Sequence, residues 1–523
     1  MKYIKGNDRS QIALIPTSIE EAIDENNEVR IIDLFVDSLD LAQMDFRLDF
    51  GENGRPAYHP SDLLKLFLYG YLNKTRSSRD LERACHINIE VMWLMKSLSP
   101  DHNTIANFRK NNAPAIKKVF RASVELAKNF DLIGGKLIAG DSTKLRAQNA
   151  KKKNYNKRKI AKQLQYIDAR LTHYNKLLAE ADGDNKKIVQ DQIDKHNKRK
   201  DDYDKMDKTL DESDQVQIST SDPDSRNIII RNRITEVCYC VQTTVDAKHN
   251  IPIDYLTSNK NDAKAMGPML KRAVEIIGHN KFTALYDKGY HTGSELKMAT
   301  EIGVNTIVSA PDLGSASRAP NPEYNVQNFK YDNENDQYIC PQNQALKSNQ
   351  TWYTNSNTRT RFQQYKTKAC LSCKVKKQCT SAKNGKLISR SEYQPYYEEN
   401  KKKLHENMPL YRRRQAIVEH PYGTIKRYWG FNHILTKKGI ERASADVGLM
   451  FTAYTLKRIF NILDPKKLKK YLEKASHLFL KIKPAIKLLL AHITHHKFIA
   501  NSITINCKMS VNRLKLEHYK RFV

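Results

Sequence analysis

Apolar positions recur at helical spacing at both ends of the chain and at strand spacing in the middle. Residues 63–71 are almost wholly apolar and follow Pro60, Ser61 and Asp62, which predicts a helix capped by Ser61. Further short helices are expected from Ser77, Asn88 and Asp101. Residues 1–130 therefore read as an all-α N-terminal domain. It is either a helix-turn-helix-like DNA-binding module or a small bundle that supports the rest. A strand over residues 135–140 then leads to Asp141. In residues 151–213 Tyr166, Ile167, Leu171, Tyr174 and Leu177 fall at helical spacing, and Asp182 and Gly183 interrupt them. This stretch reads as a charged helical-hairpin insert, solvated or acting as a DNA or dimer contact.

From Asn227 the period becomes that of strands, at 228–234, 237–245 and 251–256. A helix follows over 262–277, and strands are expected at 281–286 and 305–309. The order strand, insert, three strands, helix, strand, helix, strand is that of an RNase H-like α/β core. Residues 311–399 form a second insert, polar and loop-rich, with four cysteines. Helices resume over about 412–463, which closes a core domain of residues 131–463. Residues 464–523 form a basic C-terminal tail.

Three acids stand out against this pattern. Asp141 and Asp287 each follow a short apolar run, and Glu419 opens a helical segment that carries Lys426 seven residues on. Parallel strands can set the two aspartates side by side, and a helix packed across the sheet end can deliver the glutamate. Such a set of hard oxygen ligands suits two Mg²⁺ (or Mn²⁺) ions, which neutralise charge during phosphodiester exchange. Pro421 implies that the helix starts near Glu419 or bends there. Of the other acids, Asp222 and Asp224 read as turn residues, Asp246 as part of a hairpin turn, and Asp262 as a helix cap. Arg414 and Lys426 suit phosphate contacts, and Trp429 either stacks on a base or packs in a core.

Charge narrows the partner. The 523 residues carry 89 Lys and Arg against 58 Asp and Glu, a net charge of +31, which fits a polyanion. The N-terminus has no apolar signal segment, and no run of about 20 apolar residues is present, so a cytoplasmic protein with no membrane association is expected. When bound to DNA it would be nucleoid-associated. In a reducing compartment Cys370 and Cys373, spaced CxxC, with Cys379 and Cys340, suit one structural Zn²⁺ or remain free thiols. Cys238 and Cys240 share one strand face as core residues, and Cys85 and Cys507 read as lone thiols.

Three runs resemble a known family: Gly140 to Lys144, Tyr286 to Tyr290, and Tyr411 and Arg414 followed by Glu419 and Lys426. Together with the run from Arg55 to Lys65, Arg79 to Glu82 and Thr104 to Arg109, they are similar to the DDE-class transposases of bacterial insertion sequences. The resemblance implies metal-dependent cleavage at the element's terminal inverted repeats and strand transfer into target DNA by a homodimer in a synaptic complex. It makes Asp141, Asp287 and Glu419 the metal-binding catalytic acids; Tyr411, Arg414 and Lys426 match the accompanying signature and, with Trp429 from its own reading, are the candidate DNA-binding residues. One departure is visible: four residues separate Arg414 from Glu419, where the Tyr-Arg-Glu-Lys signature has three. The rival readings are an inactive or repurposed DNA-binding relative, and a nuclease of the same fold that does not join strands.

Overall fold

The computed structural model describes residues 18–48 and 56–475, apart from 214, 232–233, 313, 315–316 and 437. Arg55, Cys507 and residues 476–523 of the basic tail lie outside the described residues. The fold is mixed α/β and divides into two units, residues 1–122 with 456–523 and residues 123–455.

The first unit is helical: α1 (Glu28–Asp37), α2 (Pro60–Leu72), α3 (Ser78–Ile87), α4 (Ile89–Leu94), α5 (His102–Asn111) and the start of α6 (Ala113–Asn129). Ser77, Asn88 and Asp101 each cap the helix that follows them. Ser61 does not cap α2. Pro60 takes the first helical position, and the His59 ring accepts from the Ser61 N–H. α2 is buried nearly all round, and even Lys65 is only 1% exposed. Its ammonium survives burial because Asp33 and Asp37 sit 2.6 and 2.7 Å away, supplying two carboxylates to one cation.

In the second unit β1 (Leu137–Arg146) leads into an excursion and return. β2 (Asn154–Tyr155) and β3 (Ile218–Ser219) pair antiparallel at the base of two long helices, α7 (Lys157–Glu180) and α8 (Asp184–Glu212). Tyr155 meets Tyr203, and Tyr174 meets His196, between the two helices' chains. The main sheet adds β4 (Arg226–Arg231), β5 (Ile234–Asp246), β6 (Ile251–Ser258), β7 (Thr283–Tyr286) and β8 (Asn305–Val308). Ile234 thus opens β5 and does not end β4. β5 pairs antiparallel with β1 and with β6, and β1, β7 and β8 run parallel. The sheet helices are α9 (Met266–Ile277) and α10 (Gly293–Ile302).

Residues 311–399 are not merely loop. They hold six short strands, β9 (Lys330–Asp332), β10 (Gln337–Ile339), β11 (Ala345–Ser348), β12 (Tyr353–Thr354), β13 (Arg361–Lys366) and β14 (Ile388–Ser391), in one antiparallel sheet. Phe329, Tyr338, Leu346, Tyr365 and Ile388 make its core. Strands this short carry one or two inward residues each, too few to stand out as alternation. A single helical turn, α11 (Lys376–Cys379), follows β13. The chain continues through α12 (Gln394–Glu406), α13 (Met408–Tyr422), a π-helical turn (Gly423–Tyr428) and α14 (Ile440–Ile462). Glu419 therefore lies near the end of α13 rather than at its start, and the winding changes just beyond Pro421. No helix among the described residues is long and apolar enough to cross a membrane.

Candidate active site

The parallel pairing of β1 with β7 builds the site. Ala139 lies opposite Leu285, so Asp141, midway along β1, and Asp287, just past the end of β7, are each two residues further along and fall on the same face. That face is apolar beneath them. Ala139, Val245, Leu285 and Ile307 pack against Ile417 and Val418, which lays α13 across the sheet. The opposite face is equally tight. A side chain on Gly140 would place its Cβ 2.0 Å from the buried Tyr286 ring, so only glycine lets β1 pass there.

α13 touches Asp141 twice. Arg414 Nη1 donates to Asp141 Oδ2 at 3.1 Å, and the Tyr422 hydroxyl donates to the Asp141 carbonyl at 3.0 Å. Asp287 turns the chain, its Oδ1 accepting from the Gly289 N–H at 2.8 Å. Burial raises the Asp141 carboxyl above its ordinary value, and the neighbouring Asp287 adds to this; Arg414 and the Ser142 N–H oppose it. Burial acts against the Arg414 charge too, but Asp141, Tyr411 and Asp287 outweigh it and hold its guanidinium above the usual range.

Glu419 stands apart. It is exposed, and its Oε1 accepts from Gln415 at 2.8 Å. The reason is helical geometry. Residues five apart on an α-helix are about 140° apart around its axis, whereas residues four apart are about 40° apart. With Arg414 facing β1, Glu419 is turned to the flank. The extra residue between Arg414 and Glu419 is thus expressed as a rotation.

The remaining sequence-predicted residues are also placed. Tyr411 packs half-buried against the apolar cluster under α13. Lys426 Nζ donates to Thr143 Oγ1 at 3.0 Å and to the Lys144 carbonyl at 3.1 Å, tying the π-helical turn to β1. Burial lowers its ammonium, and Lys144 and Arg427 lower it further. Trp429 is 7% exposed and packs on Phe431 and Tyr454, so the core contact is the one seen. Asp246 borders the hairpin turn, its Oδ1 accepting from the Lys248 N–H at 2.9 Å. It ends β5 fully buried, accepting from the N–H groups of Gly134 and Gly135.

Cys340, Cys370, Cys373 and Cys379 line one cavity of about 30 Å³ at the edge of the small sheet. All four are free thiols. Burial raises the Cys379 thiol, Lys386 opposes this, and the other three cysteines add to it, so the four share one electrostatic environment. Gly385, at φ +90°, lies so close that a Cβ would meet Cys370 at 2.4 Å. Among the described residues, no three His, Cys, Asp or Glu side chains are close enough to hold a metal ion as they stand. This covers the three acids as well as the thiols.

Sequence reading missed Tyr422, which reaches Asp141 across the sheet. It also missed Gln242 and its partner Tyr290. A signal for Gln242 was present: it is a polar side chain inside the buried run of β5, where such a group requires a partner.

Asp141's raised carboxyl has a stability consequence. A folded-state value above the unfolded one contributes stability below the ordinary aspartate value of about 3.9, and that contribution is lost as pH rises through the raised value. Asp141→Asn carries no such loss. In magnesium-free buffer its melting temperature should therefore gain on wild type as pH rises from about 4 through the range in which the raised carboxyl ionises. A difference in melting temperature that is constant across that range would contradict the burial of this carboxyl.

Comparison with known proteins agrees with the resemblance. The family model described as "Transposase domain (DUF772)" matches residues 17–111, and "Transposase DDE domain" matches residues 339–460. Glu419 and the four cysteines fall within the second match, while Asp141 and Asp287 fall between the two. No curated protein matches the chain. Among solved structures, a piggyBac transposase synaptic complex with hairpin DNA aligns over 87% of this chain and 79% of that one. Its identity is 9% and its TM-score 0.28, too slight a likeness to bear on the fold. A transposase domain is thus matched towards one end of the chain and a transposase DDE domain towards the other, which is consistent with a DDE-class transposase.

Proposed function

We propose that the chain cuts DNA at the ends of an insertion sequence and joins them to target DNA, with Asp141, Asp287 and Glu419 as its catalytic acids. The observation that carries this reading is the parallel β1–β7 register, which brings Asp141 within β1 and Asp287 just past β7 to the same face, close enough to interact. The main sheet supports it. In the order β4-β5-β1-β7-β8, with β6 also paired to β5, only β5 runs against the rest, an order that fits an RNase H-like core. The two helices α7 and α8 and the small six-stranded sheet are then inserts in that core, and the helices of residues 1–130 precede it.

The donor set fits hard divalent cations, since three carboxylates offer oxygen ligands only. Bound there, a pair of Mg²⁺ or Mn²⁺ ions supplies charge neutralisation on the attacking and leaving oxygens. The chain's own residues do the rest. Arg414 holds Asp141 Oδ2 at 3.1 Å and balances its charge while no cation does. Glu419 joins the aspartates by a rotation of the last turn of α13, next to a π-helical turn where the winding already departs from α. Lys426, fixed to β1, keeps that turn in place. The net charge of +31 supports a DNA partner, and a homodimer would hold two element ends together.

On supercoiled plasmid carrying the element's ends, wild type should give Mg²⁺-dependent nicking and joined products. Asp141→Asn, Asp287→Asn and Glu419→Gln should each lose cleavage by about a thousandfold or more while DNA affinity stays within about twofold. Nicks without joined products would favour the nuclease reading. Full cleavage by Asp287→Asn would exclude this site.

The four cysteines fit one structural Zn²⁺, because four thiolates around one small cavity supply a closed tetrahedral set. Closing on the ion requires the side chains to move from their present positions. Purified protein should carry about one zinc per chain by elemental analysis, and Cys370→Ser with Cys373→Ser should remove it. Zinc-free wild type that melts as high as zinc-loaded protein would refute this assignment.

A further inference from the structure

Asp262, expected to cap a helix, does something else. It opens a short 3₁₀ turn, and its side chain makes no cap there. Its carboxylate crosses to the sheet. Oδ1 accepts from Gln242 Nε2 at 2.7 Å, and Oδ2 faces Lys144 Nζ at 3.4 Å. Gln242 in turn accepts from the Tyr290 hydroxyl through its Oε1. Tyr290 is 1% exposed and follows Asp287 by three residues, in the same turn. The chain of contacts therefore runs from Asp262 through Gln242 to Tyr290 and so to Asp287.

Chemistry makes each link directional. A glutamine amide has one donor side and one acceptor side. A carboxylate can only accept, so Asp262 takes the –NH₂ of Gln242 and leaves its oxygen for the tyrosine. Without an acceptor at Asp262, the –NH₂ side of the amide keeps only a long contact to Cys240 Sγ at 3.5 Å, a weak acceptor that holds its facing poorly. Both polar groups are buried, so a lost contact here is not replaced by water at no cost. Asp262 and Asp287 also meet at one backbone position. A Cβ on Gly289 would sit 3.0 Å from Asp287 Oδ1 and 3.4 Å from Asp262 Oδ2.

We infer that Asp262 is a positioning residue of the site, fixing the Asp287 turn through Gln242 and Tyr290. It works from the face of the sheet opposite Asp141. This rests on the reading of Asp287 as a metal-binding catalytic acid. The ammonium of Lys144, which also donates to Ser142 Oγ at 2.7 Å, balances the Asp262 charge. Burial opposes that carboxylate, yet Lys144 and donors from Ser142 and Gln242 hold it below the usual carboxylate range. It therefore stays an acceptor at neutral pH.

The test compares Asp262→Ala, Asp262→Asn and Tyr290→Phe by two readouts: Mn²⁺ affinity of the DNA-free full chain, followed by electron paramagnetic resonance, and the plasmid cleavage rate. Asp262→Ala should weaken both by roughly 10–100-fold, the range for residues that orient metal ligands. Asn keeps a neutral acceptor for Gln242, so Asp262→Asn should retain activity within a few fold. Tyr290→Phe should match Asp262→Ala, and the double variant should be no worse than either single one. Asp262→Asn as damaging as Asp262→Ala would make Asp262 a direct ligand and overturn the inference. So would a silent Tyr290→Phe, or additive losses in the double variant. If wild type cuts no DNA, the proposed reaction fails, while the Mn²⁺ affinities still decide the positioning role.

Discussion

Two half-buried carboxylates on one face of the sheet repel one another, and the parallel register of β1 against β7 brings them together. Asp141 and Asp287 are two residues past a paired Ala139 and Leu285; Asp141 is held within β1 by its pairing to β5, and Asp287 by the turn it opens beyond β7. Everything around them answers that constraint. Arg414 reaches across from α13 to neutralise Asp141, Tyr422 holds the Asp141 backbone, and Gly289 caps the Asp287 carboxylate with its N–H. Like charges at this spacing also make the site a place where an added cation lowers the energy of both aspartates.

The apolar layer below the acids and the polar layer behind them do different jobs. Val245, Leu285, Ile307, Ile417 and Val418 fix how α13 sits on the sheet, and through it where Arg414 points. On the far face the contacts are polar and directional: Asp262, Gln242 and Tyr290 set the turn that carries Asp287. Hydrophobic packing places the elements, while hydrogen bonds orient the few atoms that matter to chemistry. The π-helical turn after Pro421 belongs to both. Lys426 within it is pinned to β1, whereas Glu419 just before it remains exposed.

Much of this was legible in the sequence, because its cause is local. Asp141 and Asp287 follow short apolar strands, the two charged helices have a long periodic stripe, and the caps at Ser77, Asn88 and Asp101 lie beside the helices they start. What was not legible depends on distance or on small counts. The small sheet is built from strands of two to six residues, below the length at which alternation can be read. Glu419 was misplaced along its helix because Pro421 suggests a boundary, yet α13 carries the proline in its last turn, where the ring fits against a helix that is already rewinding. Asp262 looked like a cap because its partner Gln242, and Tyr290 beyond it, lie 20 and 28 residues away in the chain. Only the folded sheet makes them neighbours.

The central claim is that the β1–β7 register makes a divalent-cation site of Asp141 and Asp287, completed by Glu419. Anomalous diffraction at the manganese edge from crystals grown with Mn²⁺ tests it most directly. The account predicts a peak between the two aspartates with Glu419 rotated towards it, and no peak there in Asp287→Asn. Manganese bound elsewhere, with Asp141 still paired to Arg414 and nothing between the aspartates, would contradict it.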